Sequence, residues 1–378
     1  MRILQLSKFY PPVSGGIESV VFELAEGMTR RGLQVDVLCA NTHGGTVHEQ
    51  GPGGYPVTRA GSWGRWLSTS MAPSLVRLVR QRCADYDLIH AHMPDPLAAV
   101  ALYRAQPKAK LVLHWHSDVV RQRLGRTLYA PLQDWVLRRA DAVIATSQRY
   151  ADSSSCLRPW KHKTHIVPIG ISDHAVEDCT AQVTALREHF KGKRLIFSLG
   201  RMTYYKGFDV LIDAAALLPP DCMVVVGGEG ALLSRYRSQV ARRGLEGRIV
   251  FVGPIERKDL PGYFAAAELF CLASTVRAEA YGVVLLEAMA MGKPVVATEI
   301  PGSGVGWINQ SGITGLNVPV RDPAALATAI NAILGDAQTA CRFGRAARQR
   351  YVEHLGSQSM VTATEGLYRR LLAAPERG

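Results

Sequence analysis

Lys193-Arg194-Leu195-Ile196-Phe197-Ser198-Leu199-Gly200-Arg201-Met202-Thr203-Tyr204-Tyr205-Lys206-Gly207 reads as a buried strand, Leu195–Leu199, a turn with glycine at each end, and the opening of a helix. A pattern restarts here. Upstream, β-branched apolar runs at Ile3–Ser7, Val35–Cys39, Leu88–Ala91, Leu111–Trp115, Ala142–Ala145 and Lys163–Val167 alternate with longer amphipathic stretches. Downstream the runs are Leu195–Leu199, Met223–Val226, Ile249–Val252, Leu269–Leu272 and Pro294–Ala297. Strands that alternate with helices build parallel sheets covered on both faces. The expected fold is α/β, with two doubly wound domains facing each other across a cleft.

The stretch Pro168 to Gly192 lacks a strong period and reads as the linker. Domains are expected at 1–170 and 193–357. The chain breaks at His354–Gly356, and a last helix within 358–378, from about Ser359 to Ala373, is expected to pack back on the N-terminal domain.

The chain has 378 residues, 47% hydrophobic and 20% charged, which suits two globular domains and excludes disorder and coiled coil. It has no apolar run of the roughly 18 residues that a spanning helix needs. The N-terminus reads as a strand rather than a signal peptide, so a cytoplasmic protein is expected, peripheral on the membrane's inner face if it binds lipid. Seven cysteines without a C-x-x-C pair argue against a metal cage or a disulfide framework. Net charge is +12, and residues 1–170 carry +9 of it. A basic N-terminal half fits an anionic partner or a generically basic surface.

In the strand–turn–helix unit, Arg201 offers a planar fork for phosphate oxygens and Lys206 a point charge. Further on, Glu279-Ala280-Tyr281-Gly282-Val283-Val284-Leu285-Leu286-Glu287 reads as a loop feeding a helix that runs to Met291 and stops at Gly292. Backbone N–H groups at Gly282 and Val283 would form a helix N-terminus, which attracts anions. Glu279 precedes that helix and Glu287 lies a turn inside it, where carboxylates can accept hydrogen bonds from sugar hydroxyls. The glycine-rich run Pro301-Gly302-Ser303-Gly304-Val305-Gly306-Trp307 borders the pocket or merely connects.

In the N-terminal half, Pro11-Pro12-Val13-Ser14-Gly15-Gly16-Ile17-Glu18 follows a strand and opens an amphipathic helix. Gly15 and Gly16 suit close backbone contact with phosphate or acceptor. Glu18 orients that loop or favours the helix dipole. In His114-Trp115-His116-Ser117-Asp118, alternation puts both histidines on one face of a strand, with His116 nearer its carboxyl end. Asp118 tunes His116 or meets the acceptor. Trp63 and Trp66, followed by Arg77, Arg80, Arg82, Arg121, Arg123 and Arg126, form an interfacial surface for anionic lipid, or the tryptophans are buried.

Four of these blocks, Pro11 to Glu18, His114 to Asp118, Gly200 to Gly207 and Glu279 through Gly315, resemble glycosyltransferase family 4 in its order. This family has the GT-B fold of two Rossmann-like domains. The stretch from Glu279 to Glu287 resembles its E-x7-E motif, with Tyr281 where Phe is more usual. Similarity is closest to the bacterial branch that builds cell-surface polysaccharides, with mannosyltransferases prominent.

The resemblance implies a retaining hexosyltransferase and a role for each matching residue. Glu279 would bind donor-sugar hydroxyls and Glu287 the donor ribose. Arg201 and Lys206 would neutralise the diphosphate, which the Gly282 and Val283 backbone would cap, with Tyr281 keeping the apolar packing. Val252 and its strand would lie along the nucleobase. Gly15 and Gly16 would close over the distal phosphate, and His116 would face the donor sugar and the reaction centre. Glu18 and Asp118 fall on the acceptor side. The leaving diphosphate would be stabilised electrostatically, so no cofactor and no divalent metal are expected. GDP-mannose is the expected donor, and UDP-sugars share the same phosphate chemistry. The acceptor would be a saccharide, lipid-linked on a polyprenyl diphosphate, with peripheral contact to anionic membrane.

Rival readings fare worse. A glycoside hydrolase needs two carboxyls flanking a glycosidic bond, whereas Glu279 and Glu287 bracket a helix start. Gly227-Gly228-Glu229-Gly230 fails the G-x-G-x-x-G spacing of a nicotinamide dehydrogenase. A nucleotide-sugar epimerase would act without acceptor. Nucleic-acid binding lacks any supporting motif.

Overall fold

Strand and helix alternate along most of the chain because short apolar runs are punctuated by glycine, proline and cap residues. The computed structural model describes residues 1–13, 15–66, 69–118, 123–173 and 178–374. Ser14 and Arg121 lie outside the described residues, as do the side chains of Arg65, Trp66, Arg123 and Arg126. The chain forms two compact units. One comprises Met1–Ser172 and a C-terminal stretch from Gly356, and the other Asp173–Leu355.

The first unit contains β1 (Arg2–Ser7), β2 (Gln34–Ala40), β3 (Val47–Gln50), β4 (Pro56–Ala60), the two-residue strands β5 (Arg65–Trp66) and β6 (Thr69–Ser70), β7 (Leu88–Met93), β8 (Lys110–Trp115), β9 (Ala142–Ala145) and β10 (Thr164–Ile166). Its main sheet runs β10-β9-β8-β7-β1-β2-β4-β3, parallel except for the β3–β4 pair. The chain reverses direction across the sheet at β1, between β2 and β7. Loops following strands at such a switch point form a crevice outside their carboxyl ends.

The final helix, Ser357–Ala373, packs on helix Gly16–Arg30 within this unit. Gly27 permits the approach, since a Cβ there would lie 2.4 Å from Val361 Cγ2. Arg31 joins Glu365 at 2.8 Å across the same contact. Where the chain leaves and returns to this unit, Ile171 bridges Gly356.

The second unit contains β11 (Arg194–Leu199), β12 (Cys222–Gly227), β13 (Ile249–Gly253), β14 (Leu269–Leu272), β15 (Val295–Glu299) and β16 (Gly315–Pro319). All are parallel, in the order β13-β12-β11-β14-β15-β16. This is the Rossmann order, with its switch point between β11 and β14. Apolar residues of both faces are buried, among them Ile196, Val224, Val226, Leu269, Cys271 and Val296.

Two expectations change. The stretch read as a linker holds helix Thr180–His189, and the units divide between Ser172 and Asp173. None of that helix's residues is fully buried, so it has no strong apolar stripe to read. Trp63 is 82% exposed, which removes the buried alternative for that residue. Arg77 and Arg80 are exposed, whereas Arg82 is tied to Asp36 at 2.8 Å. No helix among the described residues is long and apolar enough to cross a membrane.

Candidate active site

In the second unit, the two loops that leave β11 and β14 flank the switch point and carry most of the expected donor residues. Residues 200–207 and 273–282 are bonded together, with Thr275 N donating to Tyr205 O at 2.8 Å. Gly207 sits at φ 66°, and a Cβ there would lie 2.0 Å from Ala273 O. Only glycine accepts both the left-handed conformation and the close approach.

At this junction Lys206 Nζ donates to Glu279 Oε2 at 2.7 Å. Ser274 Oγ donates to the same oxygen at 2.8 Å. Both partners of the ion pair are buried, with side chains 11% and 10% exposed. Burial opposes the Lys206 charge, but Glu279, Tyr205 and the hydrogen bond outweigh it, so the ammonium's pKa is raised. Lys206 is therefore a fixed positive charge. Its stem passes over Gly200, where a Cβ would meet Lys206 Cε at 3.0 Å. Arg201 is exposed, and its guanidinium donates to Tyr205 Oη at 3.3 Å.

Gly282, at φ 88°, caps helix Val283–Ala290. The helix thus begins directly after the loop that holds Glu279, and its first N–H groups have no earlier turn to bond. Glu287 lies half-buried one turn inside, and Tyr281 is buried with its ring 6.4 Å from Trp307. The glycine-rich run clamps this loop: Ser303 Oγ donates to Glu279 O at 2.5 Å, and Gly304 N to Ala280 O at 2.7 Å.

Two further features follow from close backbone packing. Gly228 meets the Gly200 turn so tightly that a Cβ would lie 2.1 Å from Gly200 O. The run Gly227–Gly230 therefore packs against the Gly200–Gly207 turn. Along β12 and β13, Val226 pairs with Phe251 and Gly227 with Gly253, so half-buried Val252 is skipped at a bulge. A bulge leaves backbone groups outside the ladder, able to meet a ligand.

In the first unit, Gly15 caps helix Gly16–Arg30, and its carbonyl accepts from Ser19 N at 3.1 Å. Glu18 folds back over this cap, because a Cβ on Gly15 would lie 2.2 Å from Glu18 Oε2. Asp118 Oδ1 accepts from Trp115 Nε1 and from Ser154 Oγ, both at 2.8 Å, so it anchors the end of β8.

His116 stands in a stack that local sequence does not reveal. The register pairs His92 with His114, and alternation puts His90, His92, His114 and His116 on one sheet face. Neighbouring rings lie 4.2–5.4 Å apart and 10–23° from parallel. His92 Nδ1 lies 2.9 Å from His116 Nε2, and His92 Nε2 lies 3.0 Å from Gln5 Oε1. Burial, reinforced by the neighbouring rings for His90, His92 and His116, pushes the pKa of each well below the ordinary histidine value.

Ligand atoms of His90, His92 and His114 come within 4.8 Å of one another.

The family described as Glycosyltransferase Family 4 matches residues 14–174, and that described as Glycosyl transferases group 1 matches residues 185–350. An O-antigen chain mannosyltransferase C of Escherichia coli is 34% identical, covering 98% of this chain and 99% of that protein. A D-rhamnosyltransferase of Pseudomonas aeruginosa is 33% identical over 93% and 91%. Among solved structures, Anabaena Alr3699/HepE in complex with UDP and glucose superposes with a TM-score of 0.80 at 24% identity, covering 98% and 99% of the two chains. Sucrose-phosphate synthase from Thermosynechococcus elongatus gives 0.82 at 23% identity, over 99% and 100%. Both structures share the GT-B fold of this chain. Full-length identity to the curated relatives, together with the two family matches, shows that the chain is a glycosyltransferase and belongs to the GT4 glycosyltransferases of the GT-B fold.

Proposed function

We propose that this enzyme transfers a hexose, α-mannosyl from GDP-mannose, with retention, to a saccharide acceptor during synthesis of a cell-surface polysaccharide. The carrying observation is the buried Lys206–Glu279 pair beside the Gly282-capped helix start. One group of residues then supplies positive charge and backbone N–H donors for a diphosphate, and carboxylates for sugar hydroxyls. Arg201 adds an exposed guanidinium at the same turn. Glu287 takes the ribose, and Tyr281 and Val283 shape the helix start. The bulge at Val252 receives the base.

In the first unit, Gly15 and Gly16 approach the distal phosphate and His116 the donor sugar. Glu18 and Asp118 hold the loops that meet the acceptor. The mannosyl assignment rests on the E. coli relative's name. A UDP-sugar donor is the second reading, favoured by the UDP bound in the Anabaena structure. Exposed Trp63, with Arg77 and Arg80, supports a lipid-linked acceptor at an anionic membrane.

A thermal-shift panel of nucleotides and nucleotide sugars tests the donor, because a ligand that binds only the folded state raises the unfolding temperature. The largest shift is expected with GDP-mannose. A larger shift with a UDP-sugar replaces that donor, and no shift with any nucleotide sugar overturns the reading.

A further inference from the structure

The hydrogen-bond chain behind His116 has a direction, and its far end lies in the last helix. Gln5 Nε2 lies 4.0 Å from Met28 Sδ and 3.4 Å from Tyr368 Oη. A thioether sulfur accepts and never donates, so the amide edge beside Met28 is the NH2 group. Gln5 Oε1 then faces His92 Nε2 at 3.0 Å. An amide oxygen only accepts, so His92 carries its proton on Nε2 and leaves Nδ1 bare. The 2.9 Å contact to His116 Nε2 therefore takes its proton from His116. The Tyr368 hydroxyl accepts from Gln5 and donates to His90 Nδ1, so donor meets acceptor at every link.

We propose that Gln5, His92 and Tyr368 are positioning residues that hold His116 neutral, with its proton on Nε2 and Nδ1 bare to accept a hydrogen bond from a donor-sugar hydroxyl. The inference rests on the reading above that His116 meets the donor sugar. His116 then orients a hydroxyl and delivers no proton. His92 lies 24 residues from His116, and Tyr368 lies 363 from Gln5, so only the tertiary fold assembles the chain.

The direct test is long-range 1H–15N correlation spectroscopy on full-length protein labelled at its 11 histidines, assigned with His92→Asn and His116→Ala variants. Both His92 and His116 are expected as neutral Nε2–H tautomers. An Nδ1–H tautomer or an imidazolium at either one overturns the proposal, whatever the activity.

Calorimetric titration with GDP and GDP-mannose gives the second readout, replaced by UDP and UDP-glucose if the thermal-shift panel selects uridine. His92→Phe should weaken the nucleotide sugar by roughly fivefold, the size of one neutral hydrogen bond, and leave the free nucleotide within about twofold. His92→Asn, which keeps an acceptor oxygen near the Nδ1 position, should recover part of the loss. Equal loss for nucleotide and nucleotide sugar marks a merely structural role, and no loss for either sinks the relay. If the unaltered protein binds no nucleotide sugar, the donor reading fails, and the tautomers alone decide the positioning claim.

Discussion

Lys206 Nζ lies 2.7 Å from Glu279 Oε2, and the two residues stand 73 apart in sequence. The pair joins the loop after β11 to the loop after β14. Removing one partner strands a buried charge, which costs about 3–5 kcal/mol. Glu279→Ala should therefore lower both stability and turnover. The double variant Lys206→Met/Glu279→Leu should regain most of the stability and none of the turnover. Urea unfolding beside initial rates separates the two effects. Full activity in Glu279→Ala would remove this residue from the site.

Arg201 makes the opposite forecast. It is exposed and donates a 3.3 Å bond to Tyr205. Arg201→Ala should leave stability within about 0.5 kcal/mol, as exposed substitutions do. Nucleotide-sugar affinity should fall, and unfolding curves with calorimetric titration check both halves.

Gly282 and Gly207 both adopt left-handed backbone, at φ 88° and 66°. A Cβ at Gly282 would meet side chains at 3.2–3.3 Å, so Gly282→Ala should cost about 1–2 kcal/mol, chiefly for the backbone conformation. At Gly207 the Cβ would lie 2.0 Å from a carbonyl oxygen that cannot move aside. Gly207→Ala should be the more damaging of the two, and soluble yield with melting temperature ranks them.

The histidine stack predicts an acid-sensitive first unit. His90, His92, His114 and His116 have folded pKa values below the ordinary value, and that of His114 falls to about 3. The unfolded chain thus binds more protons than the folded one once pH drops under about 6.5. Stability is fully present above that value and falls progressively toward the folded pKa values. Each ring contributes a slope of up to about 1.4 kcal/mol per pH unit. Urea midpoints between pH 7.5 and 4.5 should fall, and less so in His114→Phe, whose ring has no proton to gain. An unchanged pH slope in that variant contradicts the account.

Gly27 tests the seat of the last helix. Its missing Cβ makes room for Val361, and Gly27→Leu should push the helix Ser357–Ala373 away. Trypsin should then cut after Arg369 or Arg370 sooner than in the unaltered protein, and the melting temperature should drop. Cleavage at the unaltered rate would show that the two helices do not depend on this contact.

The central strands were legible because each is a dense apolar run buried on both faces, as Leu195–Leu199 and Leu269–Leu272 show. Two edge strands were not. Val47–Gln50 has one apolar residue and lies largely in solvent, and Gly315–Pro319 is bounded by glycine and proline. The same holds for helix Thr180–His189, which has no fully buried residue.

By itself the sequence determined the local units: strand, glycine turn and helix start, each written within about ten residues, together with the residue types a phosphate and a sugar require. Those follow from backbone preference and periodicity, which act over short spans. Tertiary structure alone decided the partners. That Lys206 pairs with Glu279 and Ser274 and that His92 stands behind His116 depend on which parallel strands lie side by side and in which register, and that Tyr368 reaches Gln5 depends on where the last helix packs. Parallel strands are joined through crossovers, so their side-chain neighbours are far apart in the chain, and no local spacing records them.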